Sequence, residues 1–131
     1  GVGGRLQEVV GPDGQPELRQ CLYTAEQVAE ELDAEQAIVG DGVRMFVLGD
    51  LGVVRLVRMR LDPLVRLEEQ VNAAGVIILS VLACAPDSLE ASVRLKGQGT
   101  ETQYVERNGT IFVPPGASWE LYNASRTKPA E

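Results

Sequence analysis

The residues of this chain that could perform chemistry are a group of carboxylates within its first third. Glu30, Glu31, Asp33 and Glu35 follow one another closely, and carboxylates can act as general acids, general bases or cation ligands. The 131 residues include no histidine, which excludes Ser-His and Cys-His nucleophilic pairs. These carboxylates lie on or just after a predicted helix, where exposure to solvent is the ordinary interpretation.

The two cysteines, Cys21 and Cys84, are too far apart in sequence to match the spacing of a zinc site. We expect each to be a small buried hydrophobic residue, since a disulfide between them would require neighbouring strands and an oxidising compartment. Without imidazoles, and with isolated thiols, the sequence predicts no metal, no cofactor and no catalytic residue. Short glycine segments at 40–42 and 49–52 are predicted turns, because they lack the Lys-Ser/Thr of a phosphate-binding loop.

The composition is acidic and moderately apolar. The chain carries 12 basic and 19 acidic residues, for a net charge of −7, and 44% of its residues are apolar. Binding to phosphate backbones requires a basic surface, so we expect no direct binding to nucleic acid. No segment has the length and polarity of a membrane span or a signal peptide, which predicts a soluble intracellular domain. A local anion site is one interpretation of four arginines, and solvated strand positions are the favoured one: Arg55, Arg58, Arg60 and Arg66.

Turn-forming residues divide the chain into one short helix and a series of strands. Thr24 is predicted to begin the helix, because its side chain can cap it and Gln27 completes a capping box. We expect the helix to end near residues 33–36. Short strands separated by turns indicate a sandwich or barrel. The strands are predicted at residues 5–10, 17–22, 43–48, 53–61, 76–85, 89–95, 100–106, 110–113 and 119–122.

The most specific pattern in the sequence is a strand, a corner and a returning strand between Gly109 and Asn123. Pro114 and Pro115 fix φ and lack N–H donors, which ends strand pairing. Gly116 can adopt the positive φ that a reversal of the chain needs. The pattern therefore predicts a sharp corner between two strands.

This corner resembles the second motif of the cupin superfamily, with Pro114, Gly116 and Asn123 at matching spacings. Trp119 occupies the position of the family's metal-binding histidine, and four residues rather than the usual five separate Gly109 from Pro114. The resemblance implies an all-β fold, a cupin-type jelly-roll β-barrel with one short N-terminal helix and no metal site. It implies a single domain over 1–131, with an N-terminal extension over 1–42 and the barrel over 43–131. An ordinary hairpin corner in another β fold is the alternative.

Among cupins without metal ligands, residues 75–123 most resemble the C-terminal dimerisation domain of the centromere protein C family, which includes Mif2. The resemblance implies a non-catalytic homodimerisation and protein-docking module of a kinetochore scaffold protein, located in the nucleus at the centromere. The implied partners are a second copy of the chain and a centromeric-histone assembly factor or another kinetochore protein. A last apolar barrel strand is expected after Asn123, but residues 124–131 are polar.

A second hypothesis belongs to a different functional class. A cupin could bind a small molecule, or act as an isomerase, without a metal ion. Its barrel mouth would be lined by Tyr104, Trp119 and Tyr122. A carboxylate would replace histidine as the general base, and the candidates are Glu101, Glu106 and Glu120.

The most apolar strand, around residues 76–83, is the predicted dimer interface. Side chains alternate between the faces of a strand, and a strand with one wet face should alternate in polarity. This strand is apolar on both faces, so we expect one face in the core and the other against a partner subunit. We choose Ile77, Leu79 and Val81 as the interface.

A docking surface for another protein is predicted around Phe46. Val43, Met45 and Val47 form a uniformly apolar face and are expected in the core. Arg44 marks the opposite face as accessible, where Phe46 and Leu48 would project as apolar anchors. The alternative is that the helix or another strand packs over Phe46.

Overall fold

The computed structural model describes residues 20–131. Within this range the chain forms one α-helix, α1 (Ala25–Asp33), and a 3-10 helix at Glu35–Ala37. The predicted strand at 5–10 and most of that at 17–22 lie outside the described residues. The nine strands between residues 20 and 131 are β1 (Ile38–Gly40), β2 (Val43–Asp50), β3 (Arg55–Leu61), β4 (Arg66–Val71), β5 (Ile77–Ser80), β6 (Leu89–Arg94), β7 (Thr100–Val105), β8 (Thr110–Val113) and β9 (Ser118–Asn123).

Helix α1 begins as its capping residues predict. The Gln27 N–H donates to Thr24 Oγ1 at 3.1 Å, and the Thr24 N–H donates to Gln27 Oε1 at 2.8 Å, which completes the capping box. Val28 and Leu32 are the helix residues that are fully buried. The helix ends at Asp33, within the predicted range. No helix in residues 20–131 is long and apolar enough to cross a membrane.

The described part of the chain forms two compact units. The first comprises residues 20–40 and Arg44–Met59, and the second comprises Asp41–Val43 and Arg60–Glu131. Strands β1, β2 and β3 form one three-stranded sheet in that order. The assignment of residues 1–131 to a single domain, divided at residue 42, stays a prediction.

The loop between β2 and β3 is closed by short-range hydrogen bonds. The Leu51 N–H donates to the Val54 carbonyl at 2.8 Å, and Gly52 has a φ of 81°, which favours glycine. The Asp50 carboxylate accepts from the Gly52 N–H at 3.0 Å and pairs with Arg55 at 3.0 Å. These two contacts, the Gly52 hydrogen bond first, lower the pKa of Asp50 below its ordinary value.

The second unit contains a four-stranded sheet in the order β4-β9-β6-β7 and a two-stranded sheet formed by β5 and β8. All pairs are antiparallel. On the larger sheet Leu89, Ala91 and Leu121 are buried, and on the smaller sheet Ile111 and Val113 are buried. Each sheet therefore has one apolar face in the core, as a sandwich or barrel requires.

Three strands differ most from their predictions, and one of them, β1, was not predicted. Strand β5 covers only Ile77–Ser80, although residues 76–85 were expected to be extended, because the chain leaves the β8 ladder after Ser80 pairs with Thr110. Strand β4 was not predicted, since its sequence RLEEQV is mostly charged and its residues are mostly exposed. It is the edge strand of its sheet and pairs with β9 alone.

The polar segment after Asn123 supplies backbone pairing. Ala130 and Leu61 exchange two hydrogen bonds, at 2.8 and 2.9 Å. The Glu131 N–H donates to the Ala83 carbonyl at 2.8 Å, and the Ala83 N–H donates back at 3.2 Å. Ala130 and Glu131 thus pair with two different segments of backbone, although residues 124–131 have no apolar strand pattern.

Candidate functional site

The predicted corner between β8 and β9 is a tight turn. Gly116 has a φ of 84°, the left-handed conformation that favours glycine. The Ala117 N–H donates to the Pro114 carbonyl at 3.2 Å and closes the turn. A Cβ at Gly116 would meet no atom within 4 Å, so the backbone conformation alone requires glycine here.

Asn72, a residue that the sequence analysis did not identify, anchors this corner. It is 4% exposed, and its carbonyl accepts from the Gly116 N–H at 2.7 Å. Its side-chain amide donates to the carbonyls of Val113 at 3.1 Å, Pro114 at 3.2 Å and Gly75 at 3.0 Å. Buried polar groups are stable when they are hydrogen-bonded, and this side chain satisfies three backbone acceptors.

Trp119, at the position of the family's metal-binding histidine, packs into the second unit. It is 9% exposed and lies opposite Val93 on β6 and Gln70 on β4. Cross-strand neighbours share a face, so Trp119 occupies the same face as the buried Ala91 and Leu121. The indole fills space in the core.

Asn123 is fully buried and joins three segments of backbone. Its Nδ2 donates to the carbonyls of Leu61 and Asp62, each at 3.2 Å, and of Lys128 at 2.9 Å. Its Oδ1 accepts from the Ser125 N–H at 3.1 Å. Asn123 therefore has a structural role, because its polar atoms are all engaged inside the protein.

The residues from 20 to 131 include no group of three His, Cys, Asp or Glu side chains that could hold a metal ion. Cys21 is exposed and Cys84 is half-buried, and both are free thiols. Cys21 thus departs from the expected buried position. Burial raises the pKa of the Cys84 thiol, and Glu106 adds to the rise.

The face of β5 that was chosen as the dimer interface points inward. Val81 is 4% exposed, and Ile77 and Leu79 are half-buried. The opposite side chains are outside, with Ile78 62% exposed. A dimer formed through β5 would therefore use the face opposite to Ile77, Leu79 and Val81.

An exposed apolar surface covers the outer side of the β5-β8 sheet. Ile78 lies directly opposite Phe112 in the ladder, so the two side chains are neighbours on one face. Phe112 is 57% exposed. Val76 and Leu82 flank β5 and are also exposed. We call these four residues the β5-β8 outer patch: Val76, Ile78, Leu82 and Phe112.

The predicted docking residues of β2 make contacts within the first unit. Arg44 donates from Nη1 to the carbonyls of Leu32 at 2.9 Å and Ala34 at 3.3 Å, which satisfies acceptors at the end of α1. The Phe46 ring meets Tyr23 edge to face, with centroids 5.6 Å apart. Both side chains are half-buried, so Arg44 does not mark a fully accessible face.

Leu48 and Val47 lie on the same strand, β2. The Tyr23 hydroxyl donates to the Leu48 carbonyl at 3.3 Å, and Leu48 is half-buried. Val47, which was expected in the core, is 47% exposed. Leu48 also lines an apolar groove of about 530 Å³ with Leu22, Leu51, Val54 and Leu56.

Three of the four arginines considered as a local anion site pair with carboxylates. Arg55 contacts Asp50, and Arg60 lies 3.6 Å from Glu131. Arg66 contacts Glu120 at 2.5 Å and lies over the Tyr122 ring, 4.5 Å from its centroid. The pairing with Glu120 raises the pKa of Arg66. These pairings fit the favoured interpretation of the arginines as strand positions in contact with solvent.

The aromatic barrel mouth of the second hypothesis is not assembled as expected. Tyr104 and Tyr122 both lie opposite Glu90, on the face away from the buried Ala91. Trp119 is on the inner face. A pocket of about 470 Å³ does lie on the inner side of β6 and β7, and Glu101 is one of its lining residues.

The fold has counterparts among solved structures. One structure of the Drosophila melanogaster CENP-C cupin domain matches with a TM-score of 0.61 at 11% identity, over 85% of this chain and 80% of that chain. A second structure of that domain matches with a TM-score of 0.54 at 12% identity, over 83% of this chain and 95% of that chain. The fold is that of a cupin. No protein-family model matches the sequence, and no curated protein matches it.

The corner residues lie where this fold joins β8 to β9. Trp119, on the strand after the corner, is buried in the interior. Asn123 follows at the end of the same strand and fixes the chain segments beside it. The predicted all-β cupin-type fold with one short helix is confirmed, and its similarity is to the CENP-C cupin domain.

Proposed function

We propose that this cupin domain is a non-catalytic homodimerisation and protein-docking module of a centromere or kinetochore scaffold protein in the nucleus. The similarity in fold to the CENP-C cupin domain supports this role. The observation that carries the proposal is the β5-β8 outer patch. Its central pair, Ile78 and Phe112, leaves more than half of each side chain exposed.

The chemistry of this patch favours a second copy of the chain as its cover. The β5-β8 sheet already has an inner face, where Ile111 and Val113 are buried, so its second apolar face has no role in the core of one subunit. Burial of apolar surface stabilises by roughly 25 cal/mol per Å². An isologous two-fold contact would place Ile78 and Phe112 of each subunit against the same residues of the other.

Light scattering on the purified chain tests the dimer. We expect a mass of two subunits for the unmodified chain and of one folded subunit for Ile78→Glu and Phe112→Glu, since each change places a charge in the contact. Val71→Glu is the matched control, because Val71 is 71% exposed on β4 of the other sheet. A monomeric unmodified chain, or a dimer that survives both substitutions, would contradict the proposal.

We also propose that the strand of Arg44, Phe46 and Leu48 supports the docking of a second centromere protein, such as a centromeric-histone assembly factor. The internal contacts of Arg44 and Phe46 make Leu48 the member that reaches a surface groove. Leu56 lines the same groove and is 59% exposed. The groove offers an exposed apolar surface of the kind that marks protein interaction sites.

Microscopy of the tagged chain in its own cells tests docking. Leu56→Glu should keep the dimer and the thermal midpoint and reduce the centromeric signal, whereas Glu68→Lys, an exposed change on β4, should not. A diffuse signal from the unmodified chain would contradict the centromeric role. An unchanged signal from Leu56→Glu would exclude docking at the groove but not the centromeric role.

A further inference from the structure

Strand β7 breaks the polarity pattern of its sheet. In the register of β6 and β7, Val93 lies opposite Glu101 and Ala91 lies opposite Gln103. Directly opposed residues share a face, and Ala91 belongs to the buried face. Glu101 and Gln103 therefore lie on the same face of the sheet as Ala91, although both side chains are exposed. On the other side of β6, the matching positions of β9 hold Trp119 and Leu121, which are buried.

These two polar side chains line the pocket of about 470 Å³. Its floor is apolar and includes Ala91, Val93 and Ile111. Glu101 is the charged residue of this lining, and every other lining residue is uncharged. Neither Glu101 nor Gln103 forms a side-chain hydrogen bond or ion pair with another residue in the described range 20–131. The size and the mixture of an apolar wall with a few polar groups are typical of small-ligand sites.

We propose that this pocket binds an organic cation, an ammonium or guanidinium group carried on a small apolar body. The apolar body would lie against Val93 and Ile111, and the cation would donate to the Glu101 carboxylate and the Gln103 carbonyl oxygen. A carboxylate attracts a cation and repels an anion, so the site selects for positive charge. The overall charge of −7 favours approach of the same ligands.

A charge at Glu101 could also protect an edge strand from pairing with another molecule. Strand β7 is at the edge of its sheet, and such charges prevent edge strands from pairing between molecules. Edge protection requires only a charge of either sign at position 101. Cation binding requires a negative charge there and an open pocket, so the two roles separate under charge reversal.

Two-dimensional NMR titration of the full chain tests the site with defined probes. Phenethylamine should shift the backbone amide signals of residues 91–105 and 110–112, whereas 3-phenylpropionate, its anionic counterpart, should not. Nα-acetyl-lysine amide tests whether the cation is carried by a partner's lysine instead of a free amine, and the tighter of the two cationic probes identifies the source. Glu101→Gln should weaken amine binding roughly two- to fivefold, the range expected of an exposed ion pair.

Two further variants make the result decisive. Glu101→Lys should lose the amine and gain 3-phenylpropionate, and Gln103→Trp should block both probes by filling the pocket. Glu68→Lys is the control with the same change in net charge outside the pocket. Equal binding of amine and carboxylate, binding unaffected by Glu101→Lys, or no binding of either cationic probe at millimolar concentration would overturn the proposal. Phe112 lines this pocket and also belongs to the β5-β8 outer patch, so the titration is repeated on Ile78→Glu, whose substituted residue does not line the pocket.

Discussion

The outer face of the four-stranded sheet carries polar side chains that pair across its strands, whereas the outer face of the β5-β8 sheet carries exposed apolar side chains. On the first face Arg94 contacts Glu69 at 2.6 Å, and the Ser92 and Thr102 hydroxyls are 2.9 Å apart. On the second face the corresponding cross-strand pair is Ile78 and Phe112. Both faces belong to the same compact unit.

The outer face of the four-stranded sheet is suited to water, and the outer face of the β5-β8 sheet is suited to a partner. Ion pairs and hydroxyl pairs at an exposed sheet are solvated in the monomer and contribute little to stability, about 0 to 1 kcal/mol each. An exposed cross-strand pair of large apolar residues gains free energy only when another surface covers it. The outer face of the larger sheet is therefore suited to water, whereas the outer face of the smaller sheet is suited to being covered.

The largest effect is expected in the core of the second unit. Trp119→Ala should lower the free energy of unfolding by roughly 3–5 kcal/mol, because a buried aromatic side chain would leave a cavity. Urea unfolding followed by circular dichroism measures this loss. A loss below about 1 kcal/mol would indicate an indole that does not fill the core.

The next prediction compares adjacent residues of β5. Leu79→Glu should destabilise the monomer by roughly 3 kcal/mol, because the half-buried inward side chain becomes a charge in an apolar environment. Ile78→Glu should change the stability of the monomer by less than about 1 kcal/mol, because its side chain is 62% exposed.

Urea unfolding at a concentration where both variants are monomeric provides the measurement. If Leu79 lies on the dimer face, as its strand pattern predicted, Leu79→Glu should instead yield a folded monomer. Equal stability of Leu79→Glu and Ile78→Glu would support the placement of Leu79 at the dimer face. It would also mean that the two faces of β5 do not differ in burial.

Local patterns predicted most of the elements of the second unit. Gly116 and the prolines before it predicted the corner, because a turn with positive φ depends on a few adjacent residues. Thr24 and Gln27 predicted the start of the helix for the same reason. Strand β4 escaped prediction because an edge strand can be nearly all polar when only one of its faces touches the core.

The parts of the candidate sites that were not predicted depend on contacts between distant segments. Asn72 anchors carbonyls about forty positions away at Val113 and Pro114, and no local pattern indicates such a bond. The orientation of β5 could not be deduced, because both of its faces are apolar. Arg44 was interpreted as a solvent marker, but a long polar side chain can also satisfy the carbonyls at the end of a helix.

The smallest effect is expected on the polar outer face of the four-stranded sheet. It tests whether exposed polar pairs contribute little to stability. Arg66 pairs with Glu120 and stacks on Tyr122, yet its side chain is 47% exposed. Arg66→Gln should lower the free energy of unfolding only slightly, since solvent weakens both an exposed ion pair and an exposed cation–π contact.

The effect of Arg66→Gln should also shrink as salt is raised from 0.05 to about 1 M, where the screening length falls to roughly 3 Å. The oligomeric state should not change, because this face meets water in the proposed dimer. Urea unfolding at the two salt concentrations, together with light scattering, gives both quantities. Dissociation of the dimer by Arg66→Gln would place the polar face in the interface, and the contrast between the two sheets would then no longer identify the docking side of the domain.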